Sequence, residues 1–586
     1  MCGIAGIMTS DGGSPPEVAL ASMAQALAHR GPDGQGRHVR ADVGLVHTRL
    51  SIIDLDGGAQ PFIDPQGRAL VGNGEIYNYR ELRQELDGVP FTSASDCEPP
   101  LHLYGRQGPS FVDRLRGMYA LALHDPVSGT LLLTRDPFGI KPLYYAQTER
   151  GLVFASEAQA VLASGLVERR LNPVSRDEVL QLQFSTGRAT PFSGVERVLP
   201  GETLLVRGGR IVERQRRPAL PDLPPRPQGE KDALVQLDAV LMDSVLLHQR
   251  SDVPYGMFLS GGIDSSALLA LMKRLNERPV LAFTAGFPGS KAADERDHAR
   301  VVAQTVGAEH VEVAFTEDDF WTLLPEVAGA LDDPTADYAV LPTYKLAREA
   351  RRSVKVILSG EGADELFGGY GRYRSACRPW PLRRSMRRSG ILDRLGVLRH
   401  GGTGWRDGFT RTEKDADRDG LTRLQTVQRI DAADWLPNDL LTKLDRCLMA
   451  HGLEGRVPFL DPVVADFAFR LPDDLKVHGK HGKWLLRSWL NSALPEADAF
   501  SHKRGFTVPV GEWIAAKGRR LGPLVEAQEG VREVCRAHHV APLFAAAGDK
   551  RTGFAAWSLL FYALWHNRHI LGKPSTGDVF ETLGER

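Results

Sequence analysis

Hydrophobic and polar residues alternate along the chain in two different rhythms. From residue 1 to roughly 210, short apolar runs (Val43 to His47, Ala69 to Val71, Tyr119 to Leu123, Thr130 to Thr134, Leu152 to Ala155, Thr203 to Val206) are separated by turns such as Asp11-Gly-Gly and Asp56-Gly-Gly. Short apolar runs bounded by Gly and Asp read as strands, so this part predicts packed β-sheets. The rhythm breaks at Arg214-Gln-Arg-Arg-Pro-Ala-Leu-Pro-Asp-Leu-Pro-Pro-Arg-Pro-Gln-Gly-Glu230, a polar, Pro-rich stretch of the kind that separates domains. Beyond it, Leu234 to Leu247 has helical spacing. Apolar strands at Val253 to Leu259, Val280 to Ala285, His310 to Val313 and Val354 to Leu358 then alternate with helical patterns, as βαβ units around a parallel sheet do. Residues after about 430 read as mostly helical, and no repeat of 20 to 50 residues is visible. The predicted organisation is an α/β multidomain protein: a β-rich domain over 1–213, a linker over 214–230 and a parallel-sheet domain with a helical tail over 231–586.

Composition narrows the class without changing this outline. A chain of 586 residues exceeds what one core serves, and 42% hydrophobic with 25% charged residues is ordinary for a globular enzyme. The net charge of −1 gives no reason to expect a nucleic acid partner. Cys2, Cys97, Cys377, Cys447 and Cys535 are scattered and form no CxxC pair, which points to a reducing, cytoplasmic location. No basic segment followed by an apolar core opens the chain, so no signal peptide is expected. The longest apolar run, Phe554 to Trp565, is too short to span a bilayer and reads as a core helix; no membrane partner is expected.

Two stretches carry chemistry. Phe258-Leu-Ser-Gly-Gly-Ile-Asp-Ser-Ser266 lies between an apolar strand and a helical run, so the Gly-Gly turn would present backbone N–H groups and a helix N-terminus to a phosphate. No Lys follows the glycines, which excludes the GxxxxGK[ST] loop. The second stretch is Met1-Cys-Gly-Ile4: a small residue after the initiator lets Met1 be removed, leaving Cys2 with a free α-amine as a built-in base of pKa about 7.7 to 8.0. Taken alone, Cys2 reads as a small buried hydrophobe; its company alters that reading.

The loop Ser260 to Ser266 resembles the Ser-Gly-Gly-x-Asp-Ser loop of the ATP pyrophosphatase family. Met1-Cys-Gly-Ile, His29-Arg-Gly-Pro-Asp33, Thr48-Arg-Leu-Ser-Ile-Ile-Asp54, Gly72-Asn-Gly-Glu-Ile-Tyr-Asn78 and Ser95-Asp96 occur in the order of the class II glutamine amidotransferase domain, an αββα N-terminal-nucleophile sandwich. Their combination resembles the glutamine-hydrolysing asparagine synthetase family. Further stretches fit it: Arg135-Asp-Pro-Phe-Gly-Ile-Lys-Pro-Leu-Tyr-Tyr145, Phe154-Ala-Ser-Glu157, Leu358-Ser-Gly-Glu-Gly-Ala-Asp-Glu-Leu-Phe-Gly-Gly-Tyr370, Met449 to Asp461 and His502-Lys-Arg-Gly-Phe506.

That resemblance implies roles. Cys2 would be the nucleophile, with Asn73 and Gly74 as oxyanion donors. Arg49 would take the glutamine α-carboxylate and Asp96 its α-ammonium, while Leu50, Ser51, Ile52, Ile53 and Glu75 complete the pocket. Where relatives usually have Thr-Glu-Val after the Asp, this chain has Cys97-Glu-Pro-Pro100, and two adjacent prolines are accommodated only in a helix's first turn or before it. In the second domain, Leu259, Ser260, Gly261, Gly262, Asp264, Ser265, Ala285, Ser359 and Gly360 would bind ATP and pyrophosphate. Asp264 and Asp364 would hold Mg²⁺, Glu361 would serve adenylate formation and attack by ammonia, and Lys503 would neutralise the phosphates. The implied reaction joins glutamine, aspartate and ATP to give asparagine, glutamate, AMP and pyrophosphate, with small molecules as partners and a homodimer as a further expectation.

Other readings stay open at this point. An amidotransferase acting on another carboxylate (a peptide, a sugar acid, a secondary metabolite) shares these motifs. A non-catalytic binding protein is disfavoured by intact Cys2, Asn73, Asp264 and Glu361. β-Lactam-forming relatives lack the terminal Cys and differ at the Glu361 position. Arg456 either binds an acceptor α-carboxylate or bridges helices. The Arg-rich segment 371–423 has no support from the family and reads as a solvated helical insertion, with contact to a polyanion as the alternative.

Overall fold

The computed structural model describes residues 2–288, 296–379, 386–399, 404–501 and 508–584. Strands β1 (Gly3–Thr9), β2 (Gly34–Arg40), β3 (Val43–Arg49), β4 (Phe62–Ile63), β5 (Ala69–Ile76), β6 (Gly117–Asp125), β7 (Thr130–Arg135), β8 (Tyr144–Thr148), β9 (Gly151–Ala155), β10 (Glu196–Arg197), β11 (Glu202–Arg207) and β12 (Arg210–Arg216) build two antiparallel sheets. Their orders are β10–β8–β9–β1–β3–β2 and β12–β11–β7–β6–β5–β4. Alternation sorts the side chains of β1. Ile4 and Met8 enter a core shared with Val71, Ala120 and Leu133 of the other sheet, while Ala5 and Ile7 join Leu20 and Met23 of the helix Glu17–Ala26. On the far side, Leu70, Leu121 and Leu123 share a cluster with Leu82 and Leu101 of the helices Tyr79–Glu85 and Pro99–Gln107. The layers are therefore αββα. Pro99 and Pro100 open their helix in its first turn, where their missing N–H groups cost nothing.

Regular structure resumes after β12 with the helix Glu230–His248. The second domain holds β13 (Tyr255–Phe258), β14 (Leu281–Gly286), β15 (Glu309–Ala314), β16 (Val356–Leu358) and β17 (Glu454–Arg456), all parallel, in the order β15–β14–β13–β16–β17. The chain leaves β13 for β14 and β15 on one side and returns to β16 and β17 on the other. The carboxyl ends of β13 and β16 thus flank a switch point, where open α/β sheets form their ligand crevice. β17 falls in the region whose pattern reads as helical; three residues are too few to show a period. Lys550–His569 is a helix buried along most of its length. Among the described residues no helix is long and apolar enough to cross a membrane.

The Arg-rich segment is not a solvated insertion. Tyr373, Ala376, Met386, Phe409 and Ala416 form a satellite core with Leu424, Val427 and Ile430, and Arg372 is partly buried against Asp431. Arg383 and Arg384 of this segment lie outside the described residues.

The domains meet across buried charge. Arg30, wholly buried, donates from Nη1 to Glu157 (2.8 Å) and to Asp445 (2.8 Å), and from Nη2 to Asp445 (3.1 Å). Arg446 continues the seam to Asp445 (3.0 Å), Asp332 (2.7 Å) and the Tyr144 hydroxyl (3.2 Å). Arg197 closes it on Asp333 at 2.6 and 2.7 Å. Every charge in this chain of contacts has an opposite charge within hydrogen-bond reach, the condition under which buried ions are tolerated.

Removing one member should therefore be costly. Asp445→Asn is expected to lower unfolding stability by about 3 to 5 kcal/mol, because Arg30 and Arg446 then share an uncompensated buried charge. Urea denaturation measures this, and a loss under about 1 kcal/mol would show the seam to be solvated. His248 offers a second test: burial holds it neutral, its pKa down at about 3, while its Nδ1 bonds the Ser244 carbonyl at 2.8 Å. Between that value and the unfolded pKa of about 6.5 the unfolded chain binds the extra proton, so stability is complete above about 6.5 and falls as pH drops. His248→Asn should flatten the slope of stability against pH between 5 and 6.5 by about 1.4 kcal/mol per pH unit.

Candidate active sites

Cys2 sits at the start of β1, buried, its backbone nitrogen donating to Asn73 Oδ1 at 3.2 Å. Asn73 lies in β5 and not in a hairpin turn. Its Nδ2 has only a long contact, 3.5 Å, to Ser156 Oγ, which also accepts from the backbone N–H of Ile4 (3.0 Å). Arg30 Nε donates to the Cys2 carbonyl at 3.2 Å, so the backbone of Cys2 is tied directly to the interdomain seam. Burial pushes the Cys2 thiol up, while the chain's amino-terminal charge and the Leu50 N–H pull it down. Gly74 is placed where a Cβ would fall 2.1 Å from the Met118 carbonyl oxygen, so no other residue fits there without moving β6.

The remaining residues of the first pocket gather around this point. Asp96 is buried, accepts from the Ile76 N–H at 2.7 Å, and is pushed upward in pKa by burial. Cys97 Sγ lies 3.6 Å from Asp96 Oδ2 and 3.7 Å from the Gly74 carbonyl, so the departure from the family pattern places a thiol against both. Arg49 turns its fork onto the carbonyls of Leu55 (3.0 Å), Ile53 (3.4 Å) and Asp54 (2.5 Å), bracing the loop that contains Ser51, Ile52 and Ile53. That loop is held from the other domain as well. Asp252 donates its N–H to the Ile52 carbonyl (3.0 Å) and accepts from the Asp54 N–H (2.7 Å), and Lys355 pairs with Asp33 (2.7 Å), which accepts from the Ser51 N–H. Glu75 meets Arg456 Nη2 at 3.2 Å, and burial followed by the charge of Glu454 pushes its carboxyl well up.

The second site is a cavity of about 1260 Å³ at the carboxyl ends of β13, β14 and β16. Leu259, Ser260, Gly261, Gly262, Asp264, Ser265, Ala285, Ser359, Gly360, Glu361 and Asp364 all line it. The Ser260 loop is preformed. Ser265 Oγ accepts from the Ser260 N–H (3.2 Å), Ser260 Oγ accepts from the Gly262 N–H (3.2 Å), and Gly261 has φ +70°, the left-handed conformation that suits glycine. The helix Ile263–Leu275 starts directly behind it and aims its N-terminus at the loop. A Cβ on Gly360 would meet Asp264 Cβ at 2.9 Å, so the loops after β13 and β16 close to van der Waals distance only because that residue is glycine.

Sequence reasoning missed two lysines. Lys483 Nζ lies 2.6 Å from Asp264 and 2.6 Å from Asp364; burial alone would lower its pKa, and the two carboxylates reverse that and raise it. Lys483 has φ +56°, a backbone strain that non-glycine residues keep where the surroundings demand it. Lys443 Nζ pairs with Asp337 (2.9 Å) and approaches Glu361 (3.9 Å), whose pKa burial raises. Neither lysine stands in a stretch quoted above for its chemistry, so no motif marked them. Lys503 and the rest of His502-Lys-Arg-Gly-Phe506 lie outside the described residues. Arg456 does not line the cavity. It is fully buried between Glu454 (2.5 Å) and the carbonyls of His248 and Arg250 (2.8 and 2.7 Å), a bridge and not an acceptor site.

Comparison with known proteins bears on the whole chain. Residues 1–216 match the glutamine amidotransferase domain model and residues 236–567 the asparagine synthase model. A Bacillus subtilis asparagine synthetase [glutamine-hydrolyzing] is 32% identical over 97% of both chains. The chain belongs to the glutamine-hydrolysing asparagine synthetase family. A Mycobacterium tuberculosis protein provisionally named as such a synthetase is 36% identical over 97% of each chain, and asparagine synthetase B of Escherichia coli is 31% identical over 88% of this chain and 83% of its own.

Within this synthetase family member, Lys483 is the point to test in the second cavity. Lys483→Met removes the ammonium that Asp264 and Asp364 share, and should weaken ATP binding by about 10- to 100-fold, the worth of a charge-assisted bond. Thermal-shift titration with ATP reads the change; an unaltered affinity would assign the lysine to scaffolding alone.

Proposed function

We propose that this protein is an asparagine synthetase: it hydrolyses glutamine at Cys2 and uses the ammonia to amidate the side chain of aspartate, activated by ATP in the Glu361 cavity. One observation carries the coupling of the two sites. The helix Thr442–Met449 places Lys443 beside Glu361 and, two residues on, Asp445 against Arg30, which itself contacts the Cys2 carbonyl. Less than one helical turn thus separates a wall of one site from the support of the other.

In the first site, removal of Met1 frees the Cys2 amine to take the thiol proton. Arg49 and Asp96 orient the free amino acid, with Asp96 Oδ1, held among the described residues only by a long 3.4 Å bond from the Ser95 hydroxyl, turned to its ammonium. Asn73 Nδ2 and the Gly74 N–H receive the oxyanion as the thiolate adds to the amide carbon. The Cys2 ammonium returns that proton to the nitrogen as the C–N bond breaks, ammonia leaves toward the seam, and water then cleaves the thioester to release glutamate and restore the thiol.

In the second site, the Ser260–Ser266 N–H and hydroxyl groups and Lys483 hold the phosphates, while Leu259 and Ala285 flank the adenosine. Asp264 and Asp364, on facing loops and now bridged by Lys483, are the hard oxygen donors that would hold Mg²⁺, which would neutralise charge on the departing pyrophosphate. Glu361, its pKa raised, accepts the proton that the attacking ammonia gives up. The five cysteines, none of them in a disulfide among the described residues, support a reducing cytoplasm as the working compartment.

Cys2→Ala should lower glutamine-dependent asparagine formation at least about 10³-fold while ammonium-dependent formation stays within about threefold. The measurement is product identification from amide-labelled glutamine, ATP and a panel of carboxylates. Label in an amide other than asparagine would assign the chain to another acceptor, and full glutamine use by the variant would overturn the first site.

A further inference from the structure

The cavity that holds Glu361 has a second, cationic wall that none of the roles above uses. It is built by Arg372, Arg387 and Trp435, residues of the segment that no motif explained and of the stretch that follows it. The Arg372 guanidinium lies 4.0 Å over the Tyr370 ring and 5.3 Å from that of Trp435, and its Nε donates to Asp431 at 2.6 Å. Its Nη2 is buried with no hydrogen-bond acceptor among the described residues. Arg387 stacks 4.4 Å over the other part of this assembly, the Trp435 ring, and no described residue accepts a hydrogen bond from its guanidinium. The Trp435 Nε1–H is likewise buried and unmet.

Buried donors without acceptors are rare, because each forfeits its water. Here one such guanidinium edge, Arg372 Nη2, and the Trp435 indole N–H share a cavity wall with the Arg387 guanidinium, which stacks on the same Trp435 ring. Stacked planar guanidinium with open N–H edges is the geometry that receives a carboxylate in two parallel bonds. Asp431 is committed to Arg372 Nε, and Glu365, on the same wall, accepts from the Tyr370 hydroxyl at 2.8 Å. The Ser260 loop and Lys483 already supply donors for phosphate from other segments of the chain, which leaves this wall for a different anion.

We infer that Arg372, Arg387 and the Trp435 N–H form the acceptor-recognition subsite, binding the carboxylate of the acceptor that is not activated, the α-carboxylate in the case of aspartate. This rests on the reading of the Glu361 cavity as the place where an acceptor carboxylate is activated. It also states the chemical class the cavity selects: acceptors carrying two carboxylates. Arg456, the sequence candidate for this role, is excluded by its burial between Glu454 and backbone carbonyls.

The test uses the full chain with Arg387→Met, Arg372→Met, Arg387→Lys and Trp435→Phe. Calorimetry measures the Kd of L-aspartate, of its α-amide and of ATP without turnover; ammonium-driven asparagine formation gives KM and kcat. Each Arg→Met change should raise Kd and KM for aspartate by about 10- to 100-fold, with ATP affinity moving less than about threefold. Arg387→Lys should recover part of the loss, and Trp435→Phe, which keeps the stack but removes the N–H, should cost less than either. The wild type should bind the α-amide at least about tenfold more weakly than aspartate, and the Arg→Met variants should lose that preference. Arg372→Met strands Asp431 and can fail to fold; Arg387→Met breaks no described ion pair and carries the test alone. Aspartate affinity unaltered in Arg387→Met, or a loss confined to ATP, overturns the subsite even if asparagine is still made. Arginine-dependent aspartate binding in a protein that makes no asparagine upholds the subsite and overturns the proposed function instead.

Discussion

The structure depends on a buried ionic seam in which Arg30 of one domain holds Asp445 of the other. Taking these charges out of water is unfavourable by itself, and each is tolerated only because its partner is in place. The seam therefore fixes the relative position of the domains more tightly than an apolar interface of equal area, which could slide without losing contact. Arg30 also reaches the Cys2 carbonyl, and Asp445 shares a short helix with Lys443 at the Glu361 cavity. The nucleophile and the second cavity are thus set by the same contacts, and neither can move without unpairing a buried charge.

A second link joins the domains through the glutamine loop. Ile52 and Asp54 are hydrogen-bonded to Asp252, which stands three residues before β13, the strand that ends in the Ser260 loop. Directly after β16, Ser359 donates its N–H to the Arg456 carbonyl at 2.8 Å, and the Arg456 side chain meets Glu75 in the first pocket. Both strands that flank the nucleotide crevice therefore lead, within a few residues, to a group lining the glutamine pocket.

Much of this was legible in the sequence, for reasons that differ by element. Apolar runs such as Tyr119 to Leu123 and Thr130 to Thr134 became central strands because hydrophobic burial dictates their place. The glycines at 74, 261 and 360 mark backbone that another chain segment approaches within contact distance, a requirement that motif spacing records. β17 was not legible: three residues carry no period, and Glu454 and Arg456 are polar, kept in a buried strand only because they pair with each other and with Glu75. Lys483 and Lys443 were hidden for a related reason. A lysine has the same appearance in sequence whether solvated or wedged between two aspartates, and only the fold brings Asp264 and Asp364 to one ammonium.

The Arg-rich segment shows where composition misleads. Nine arginines between 372 and 399 suggest a solvated or polyanion-facing face when counted as charge. Guanidinium groups, however, are weakly hydrated and planar, so they can be buried against aromatic rings at little cost where lysines cannot. Tyr370, Tyr373 and Trp435 supply those rings, and a satellite core around Tyr373 and Phe409 anchors the segment from behind. The same stacking that removes Arg372 and Arg387 from water leaves their outer N–H edges directed at the cavity. Stability of the segment and recognition of an anion thus arise from one arrangement: without the aromatic stack the guanidinium groups would return to solvent, and the cavity would lose the wall that distinguishes one acceptor from another.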